Sequence, residues 1–201
     1  MGERLVSIEL RPGERRAANK LDREFFRHPA QELAHTLVGT IMVRRVGRSL
    51  RRARIVETEA YLGPKDLASH SSKGRTPRTE VMFGPAGHAY VYFVYGMHWM
   101  FNVVAGTAGD AHAVLVRAAE PLDDWDADLT GPAKLARAFD ITGAENRLDL
   151  TGNDIYFLAD PEYQPRIIRS KRVGVDYAKH WKHRLLRFID AASPIAARLK
   201  Y

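Results

Sequence analysis

One segment restricts the fold of this chain more than any other, because it is long, rich in aromatic and β-branched residues, and uncharged. Residues 89–106 contain no Asp, Glu, Lys or Arg. The 18-residue length is just enough to raise the possibility of a membrane-spanning helix. Three closely spaced tyrosines, a histidine, an asparagine and the central Gly96 argue against that possibility. The composition on either side of Gly96 predicts two strands joined by a tight turn at residues 95–97.

The tip of this hairpin carries a Tyr-Gly-Met sequence. Tyr90 and Tyr92 are expected to share one face of their strand, whereas Tyr95 breaks that alternation and falls at the turn. An exposed tip with Tyr95 and Met97 on a rigid hairpin suits insertion between stacked bases. The alternative is a core hairpin whose tip aromatic folds back inward. The residues alone leave both interpretations open.

A strand predicted shortly before the hairpin carries carboxylates at two alternate positions and ends in a tyrosine. Because side chains alternate along a strand, Glu57, Glu59 and Tyr61 are expected on one face, and Val56 with the residues between them on the other. His70 follows within ten residues. Acids and aromatic rings aimed together suit proton abstraction beside a flat, stackable substrate. A solvent-facing strand edge with two solvated glutamates is the competing interpretation.

The rest of the chain shows hairpin-spaced strands and few helices. We predict helices at residues 29–37 and 131–139, a long loop at 62–87, and strands at 40–46, 50–61, 113–119, 154–158, 166–169 and 184–189. This pattern predicts an α+β fold with a curved, largely antiparallel β-sheet and flanking short helices. We expect one domain over residues 1–201, with residues 1–20 as a basic N-terminal arm.

Composition narrows the function. Lys and Arg number 31 against 24 Asp and Glu, so the formal net charge is +7, which suggests a polyanionic partner. The absence of cysteine excludes disulfides and thiolate-ligated metal sites. The N-terminus lacks the apolar run of a secretory signal, so we expect an intracellular protein without membrane attachment. Its place would be the cytoplasm or nucleoid of a bacterium, or the nucleus of a eukaryote.

A set of sequence blocks carries a resemblance over about residues 20–200. In order they include Glu57-Thr-Glu-Ala-Tyr-Leu-Gly-Pro, Asp66 to His70, Thr76-Pro-Arg78, Tyr90-Val-Tyr, Tyr95-Gly-Met, Val116-Arg-Ala118, Gly131-Pro-Ala-Lys-Leu135 and Arg172-Val-Gly-Val175. The chain resembles the alkyladenine DNA glycosylase family, the 3-methyladenine DNA glycosylases of mammalian type. The resemblance implies a monofunctional enzyme that flips alkylated or deaminated purines out of duplex DNA and hydrolyses the N-glycosidic bond, which initiates base excision repair.

The resemblance also implies roles for single residues. Glu59 would be the base that activates water. Arg117 and the backbone carbonyl of Val173 would help to hold that water, and Arg117 is expected to lower the pKa of Glu59. Glu57 shares the face of Glu59 and could take the same part, but the resemblance assigns the role to Glu59.

The substrate contacts are implied in the same way. The walls of the base pocket would be Tyr61, His70 and Tyr92, and Asn102 would crowd the 2-amino group of guanine at the pocket floor. An Asn bonded only to its own hairpin is the alternative for that last residue. The resemblance implies that Tyr95 intercalates into the DNA and that Met97 supports it.

Basic residues are expected on the DNA backbone. Lys134, Arg78 and Arg172 are the candidates for phosphate contacts, with Lys134 near a helix start that could equally be a solvated surface. We expect no metal, no organic cofactor, no lyase activity and a monomer. Two rival functions remain: a non-catalytic nucleic-acid-binding domain and a hydrolase of free nucleosides.

Overall fold

The strands meet in one curled antiparallel sheet. The computed structural model describes residues 19–123 and 125–199, so residues 1–18 of the predicted arm lie outside the described residues. The strands are β1 Ile41–Val46, β2 Ser49–Leu62, β3 Ala89–Val94, β4 His98–Ala105, β5 His112–Pro121, β6 Ile155–Leu158, β7 Ile167–Ser170 and β8 Arg187–Asp190. The helices are α1 Arg23–Phe26, α2 Ala30–Leu37 and α3 Pro132–Ala138. The predicted α+β class with a largely antiparallel sheet is confirmed.

Strand β2 is the centre of the sheet. The strand order is β3-β4-β5-β2-β1-β6, while β8 pairs with β2 and with β7. One edge of β2 is covered by β5, and the other is divided between β1 along residues 49–54 and β8 along residues 57–59. The register with β5 shifts between Ile55 and Thr58, where the partner on the opposite edge changes. An irregularity of this kind bends a strand and increases its twist, which fits the curl.

Helix α2 covers the main core. Its buried residues follow helical spacing on one face: Ala30, Leu33, Ala34 and Leu37. Thr58 faces this helix, because its hydroxyl donates to the carbonyl of Ala34 at 2.7 Å. Pro29 precedes the helix, and Gly39 follows it with φ 92°. The face of β2 that carries Thr58 is therefore committed to packing, and the opposite face is available for a site.

The predicted elements match the observed ones within a few residues, with two additions. Helix α1 begins after Asp22, whose side chain accepts the N–H of Phe25, and it buries Phe26. Lys20, at the end of the predicted arm, forms a β-bridge with Leu158 of β6. The loop at residues 62–87 contains three short 3₁₀ turns. None of the helices that the structure describes is long and apolar enough to span a lipid bilayer.

Candidate active site

A cavity of about 330 Å³ opens beside the end of β2 and the β3–β4 hairpin. Its size lies near the lower end of the range typical of small-molecule pockets, roughly 300–1,000 Å³. Residues from β2, β3, β4, β5 and from the loops at 68–70 and 173–177 line it. The cavity lies on the face of β2 opposite helix α2, so the fold gives one face to the core and the other to a site.

Aromatic rings form the walls of the cavity. The ring centroids of His70 and Tyr92 are 4.6 Å apart at an interplanar angle of 72°. Tyr90 and Tyr92 share a face as predicted, with centroids 5.3 Å apart. Tyr61 lines the same cavity from the end of β2. The structure thus brings the three predicted wall residues together and adds Tyr90 to them.

The histidine in this wall is neutral at neutral pH. Burial is the main cause that lowers the pKa of His70 to about 4, and the nearby positive charge of Arg78 adds to the effect. The Nδ1 atom of His70 and the hydroxyl of Tyr90 are 2.8 Å apart and share a hydrogen bond. Burial also raises the pKa of Tyr92. The walls therefore present uncharged rings to whatever enters.

Glu59 lies directly behind the cavity wall. Its carboxylate accepts the N–H of Val173 at 2.7 Å and the O–H of Tyr61 at 2.9 Å, and Nε of Arg117 is 3.5 Å away. All three partners line the cavity, whereas Glu59 is fully buried. The structure brings together Glu59, Arg117 and Val173, the predicted catalytic set. It is the N–H of Val173 that meets the carboxylate, and the water contact of its carbonyl stays a prediction.

Burial dominates the acidity of Glu59. It raises the pKa of the carboxyl above its ordinary value, although Arg117, the N–H of Val173 and the hydroxyl of Tyr61 each act to lower it. The negative charge of Glu57 adds to the increase. Arg117 therefore lowers the pKa of Glu59 as expected, but desolvation outweighs the attraction of the guanidinium, so the pKa is raised on balance.

The second glutamate holds two arginines. Oε1 of Glu57 accepts Nε of Arg117 at 2.6 Å and Nε of Arg187, from β8, at 2.5 Å. The side chain of Glu57 is 2% exposed. Arg117 is therefore closer to Glu57 than to Glu59. The alternative of two solvated glutamates on a strand edge is wrong, since both side chains are buried.

The predicted alternation fails at one position of β2. Val56 packs in a small cluster with Ala118, Ile189 and Leu199, apart from the main core that contains Ala60. The prediction that Val56 shares the face of Ala60 was wrong, because the irregularity between Ile55 and Thr58 places one residue out of phase. Glu57 and Glu59 remain together, since both reach Arg117.

Asn102 is buried at the cavity. It lines the cavity from β4, and its side-chain amide donates to the carbonyl of Tyr90 at 3.1 Å. Both ideas about this residue therefore describe part of the geometry, because it is tied to its own hairpin and also faces the pocket. This hydrogen bond fixes the orientation of the Asn102 side chain. A fixed orientation is required of a residue that would exclude a base by its shape.

The hairpin tip projects into solvent. Tyr95 is 82% exposed and Met97 is 67% exposed, so the alternative of a tip aromatic folded inward is wrong. The backbone φ is 54° at Tyr95 and 67° at Gly96, and the N–H of Met97 donates to the carbonyl of Val94 at 3.2 Å. Positive φ is unusual for a bulky residue, and such strain often marks functional sites. Tyr95 also reaches the mouth of the cavity.

The three basic candidates differ in what they contact. Arg172 is buried and forms two hydrogen bonds with the carboxylate of Asp66, at 2.5 and 2.9 Å, so its assignment to a DNA phosphate was wrong. Arg78 is exposed, with its guanidinium carbon 5.1 Å from the centre of the Tyr92 ring. The ammonium of Lys134 is exposed and lies 2.9 Å from a carboxylate oxygen of Asp128. For Arg78 and Lys134 the phosphate contact stays a prediction.

Most of the chain matches a known protein family. The model of the methylpurine-DNA glycosylase family matches residues 24–194, which is most of the chain and includes every residue placed at the cavity. The chain belongs to the methylpurine-DNA glycosylase family. The resemblance to the alkyladenine DNA glycosylases is thereby confirmed.

Relatives in several bacteria are similar over most of their length. The chain is 46% identical over 182 residues to a protein of Legionella pneumophila (strain Lens), with 89% of this chain and 98% of the relative covered. It is 47% identical over 180 residues to a protein of Anaeromyxobacter sp. (strain Fw109-5), with 89% and 93% covered. A protein of Clostridium acetobutylicum is 38% identical over 202 residues, with 90% and 98% covered. All three carry the provisional name 3-methyladenine DNA glycosylase.

Some site residues of this family member were not found from the sequence. The shared face of Tyr90 and Tyr92 was a usable signal for Tyr90, since two rings on one strand face reach the same space. Tyr177 lines the cavity mouth and donates its hydroxyl to the carbonyl of Ala68 at 3.2 Å, but nothing in its surroundings marked it. Arg187 could not be found, because its contact with Glu57 depends on the pairing of β8 with β2.

No metal site accompanies the cavity in the part of the chain that the structure describes. Within residues 19–123 and 125–199 no group of three or more His, Cys, Asp or Glu side chains is placed to hold an ion.

Proposed function

We propose that this family member is a monofunctional DNA glycosylase that removes alkylated and deaminated purines from duplex DNA. The damaged nucleotide is extruded into the cavity, and an activated water hydrolyses the bond between the base and the sugar. The observation that carries the proposal is the position of Glu59, a buried carboxylate in contact with three cavity-lining residues behind a wall of aromatic rings.

The aromatic walls account for binding of a damaged base. Stacking on Tyr61, His70 and Tyr92 is favourable for any flat base, and an alkylated purine with a positive charge gains about 0.5–2 kcal/mol over an electron-rich ring. The low pKa of His70 supports this proposal, because a neutral imidazole does not repel a cationic base. Asn102 at the floor would exclude the 2-amino group of normal guanine by crowding it.

The carboxylate of Glu59 supplies the chemistry. As the glycosidic bond breaks, positive charge develops at C1′ of the sugar, and a nearby carboxylate stabilises it. Water adds to C1′, the base departs with the bonding electron pair, and Glu59 takes the proton from the water. The raised pKa brings Glu59 nearer to the operating pH, where a base is most effective. Glu59 accepts two hydrogen bonds in this structure, out of about four that a carboxylate can accept, so the remaining acceptor positions can take a water from the cavity.

A cationic base leaves without further help, because cleavage renders it neutral. Neutral lesions such as hypoxanthine or ethenoadenine require a proton on the leaving base, and no side chain is assigned to provide it. Under this mechanism cationic lesions need the activated water but no proton on the base, whereas neutral lesions need both.

Extrusion of the base requires that the gap be filled. The exposed hairpin tip supports insertion of Tyr95 into the duplex, with Met97 beside it. Filling the stack offsets part of an unstacking cost of a few kcal/mol. A hydrolase of free nucleosides has no use for such a tip, so this observation favours a polymer substrate. Arg78 and Lys134 would contact the phosphates on either side of the opening.

The remaining features of the proposal concern assembly and location. We propose that the protein acts as an intracellular monomer on double-stranded DNA, without a metal or organic cofactor and without membrane association. Because water is the nucleophile, the product is an intact abasic site, the starting point of base excision repair.

One assay tests the proposal. Duplexes that carry a single 7-methylguanine, hypoxanthine or ethenoadenine are incubated with excess protein, and abasic sites are scored by alkaline strand cleavage. The same duplex without a lesion is the negative control, and Glu59→Gln protein controls for a contaminating glycosylase. Release of at least one damaged purine by the wild type alone supports the proposal. Tight binding to every duplex without release would favour the non-catalytic DNA-binding alternative instead.

A further inference from the structure

Arg117 is held mainly by a carboxylate that does not touch the cavity. Its Nε is 2.6 Å from Oε1 of Glu57 but 3.5 Å from Oε1 of Glu59. A charge-assisted hydrogen bond at the shorter distance is strong, whereas the longer distance is a loose contact. The neighbouring glutamate, and not the proposed base, therefore fixes where the guanidinium lies.

The terminal amino groups of Arg117 point away from Glu57 and toward the cavity. Arg117 lines the cavity, and its terminal amino groups make no hydrogen bond to any protein acceptor within residues 19–123 and 125–199. A guanidinium has five N–H donors in a rigid fork, so fixing Nε also fixes the direction of the other four. Holding Arg117 by Nε leaves those donors available to a molecule in the cavity.

Glu57 is itself held in place from the other side. Arg187 donates from Nε to the same Oε1 at 2.5 Å, and the two side chains are 4% and 2% exposed. Glu57 lies on β2, Arg117 on β5 and Arg187 on β8, so the cluster spans three neighbouring strands. The cluster thus contains two glutamates, Glu57 and Glu59, and two arginines, Arg117 and Arg187.

We propose that Glu57 is a positioning residue, which holds Arg117 by Nε so that the guanidinium fork faces the cavity and does not close onto Glu59. The inference rests on the proposed function, because its effect on rate concerns the same site. Without the charge of Glu57, Nε of Arg117 is free to shorten its 3.5 Å contact with Glu59. Glu59 would then be held in an ion pair with Arg117, and the N–H groups of Arg117 would no longer point into the cavity.

The expected consequence for the acidity of Glu59 has a definite sign. Charged and hydrogen-bonding groups face Glu59 from several elements. They are Tyr61 and Glu57 from its own strand, Tyr92 from β3, Arg117 from β5, Arg187 from β8, and Arg172, Tyr177 and the N–H of Val173 from the loop before β8. The charge of Glu57 raises the pKa of Glu59, and Arg117 lowers it. Removing Glu57 as an anion and bringing Arg117 closer both act downward, so the pKa of Glu59 should fall.

The first variant is Glu57→Gln, which keeps the shape and the acceptor oxygen but removes the charge. In single-turnover assays on a 7-methylguanine duplex, we expect the rate of base release to fall by about 10- to 100-fold, the scale of loss from ~1 Å misplacement. The duplex concentration at half-maximal rate should not change. In an Arg117→Gln background the same substitution should cost less than about threefold, because non-additivity identifies residues that act together.

The matched control is Glu145→Gln. Glu145 also forms a largely buried ion pair, with Arg44 at 2.7 Å, but it does not line the cavity. Its loss should lower the melting temperature without lowering the rate. If Glu57→Gln does not fold, the double variant Glu57→Gln/Arg187→Gln removes one buried charge of each sign and takes its place.

A second measurement does not depend on activity. The carboxyl resonance of Glu59 in protein labelled with ¹³C-glutamate, assigned by its disappearance in Glu59→Gln, reports the pKa of that residue directly. We expect a lower value in Glu57→Gln than in the wild type. An unchanged pKa overturns the proposal, as does an equal loss of rate with and without Arg117. If the wild type releases no base, the proposed function fails, and this titration still decides the role of Glu57.

Discussion

The hydroxyl of Tyr61 donates to Oε2 of Glu59 over 2.9 Å, between two residues that share a face of β2. Burial and the charge of Glu59 raise the pKa of Tyr61 well above its ordinary value, so the hydroxyl keeps its proton and acts as donor. One tyrosine therefore serves two purposes. Its ring forms a cavity wall, and its hydroxyl stabilises the ionised form of the proposed base.

Tyr61→Phe separates these purposes, because it keeps the ring and removes the hydroxyl. A hydrogen bond to the ionised carboxylate lowers its pKa, so its loss should raise the pKa of Glu59 further. The acid limb of the pH–rate profile should move to higher pH, and the defect should be greater at pH 5.5 than at pH 8. Tyr92→Phe is the control, and its acid limb should stay near that of the wild type. Single-turnover rates on 7-methylguanine measure both profiles.

Glu59→Gln should remove base release and leave duplex binding intact. The loss should be on the order of 10²–10⁴-fold, the scale of general base catalysis. Single-turnover rates and the dissociation constant for a lesion duplex measure the two effects. Full activity in Glu59→Gln together with a dead Glu57→Gln would transfer the catalytic role to the other glutamate.

Tyr95→Ala tests whether Tyr95 acts as a wedge, which is a side chain inserted between stacked bases. Since Tyr95 is almost entirely solvent-exposed, truncation should leave the melting temperature near that of the wild type. The rate should fall on a fully paired lesion, and the defect should shrink when the lesion lies opposite a mismatch or a gap, because such a base is already easier to extrude. An equal loss on both substrates, combined with a large drop in melting temperature, is the result that contradicts a wedge.

His70 should make the fold sensitive to acid. Its pKa is about 4 in the folded protein against 6.5 for an ordinary histidine, so the unfolded chain takes up a proton between those values and the folded protein does not. Stability should therefore fall as the pH drops from about 6.5 to about 4, by roughly 1–2 kcal/mol at pH 5. Urea unfolding at pH 7.5 and 5.0 measures this. His70→Gln should lose less stability between the two pH values than the wild type.

The product should be an abasic site on an uncleaved strand. Lysine amines form covalent adducts with abasic sugars in enzymes that also act as lyases. Lys134, paired with Asp128, is the lysine among the proposed phosphate contacts. Treatment of a reaction with borohydride should trap no protein–DNA adduct. A trapped adduct that disappears in Lys134→Arg would overturn the proposal that water is the nucleophile.

Much of the site followed from local sequence rules. The period of two along a strand was enough to place Glu59 beside Tyr61 and Tyr90 beside Tyr92, because these pairs lie two residues apart. Gly96, with a positive φ, marked the hairpin turn correctly. Strand alternation and turn formation depend on residues that are close together in the chain, so a single sequence is enough to predict them.

The arrangement of charges did not follow from those rules. Arg172 lies in a basic stretch that reads as a solvated surface, yet Asp66, 106 residues away in sequence, draws it into the interior. Arg187 reaches Glu57 across 130 residues. The displaced Val56 depends on an irregularity in β2 that no residue type marks. Ion pairs between distant strands are decided by how the sheet closes, which a single sequence does not display.

The β3–β4 hairpin fixes the distance between the cavity and the exposed tip at residues 95–97. Asn102, which lines the cavity, is paired with Tyr90, and the last pair before the tip is Val94 with His98. Four residues at ~3.4 Å each separate these two pairs, so the tip stands ~14 Å beyond the Asn102–Tyr90 pair. Under the proposed function, this length is the distance between the place where the base is bound and the place where Tyr95 enters the duplex. Two more residues in each strand would keep every side chain on its face and lengthen the reach by ~7 Å. Under the same proposal, hairpin length is a dimension through which this fold can be matched to the width of the DNA groove.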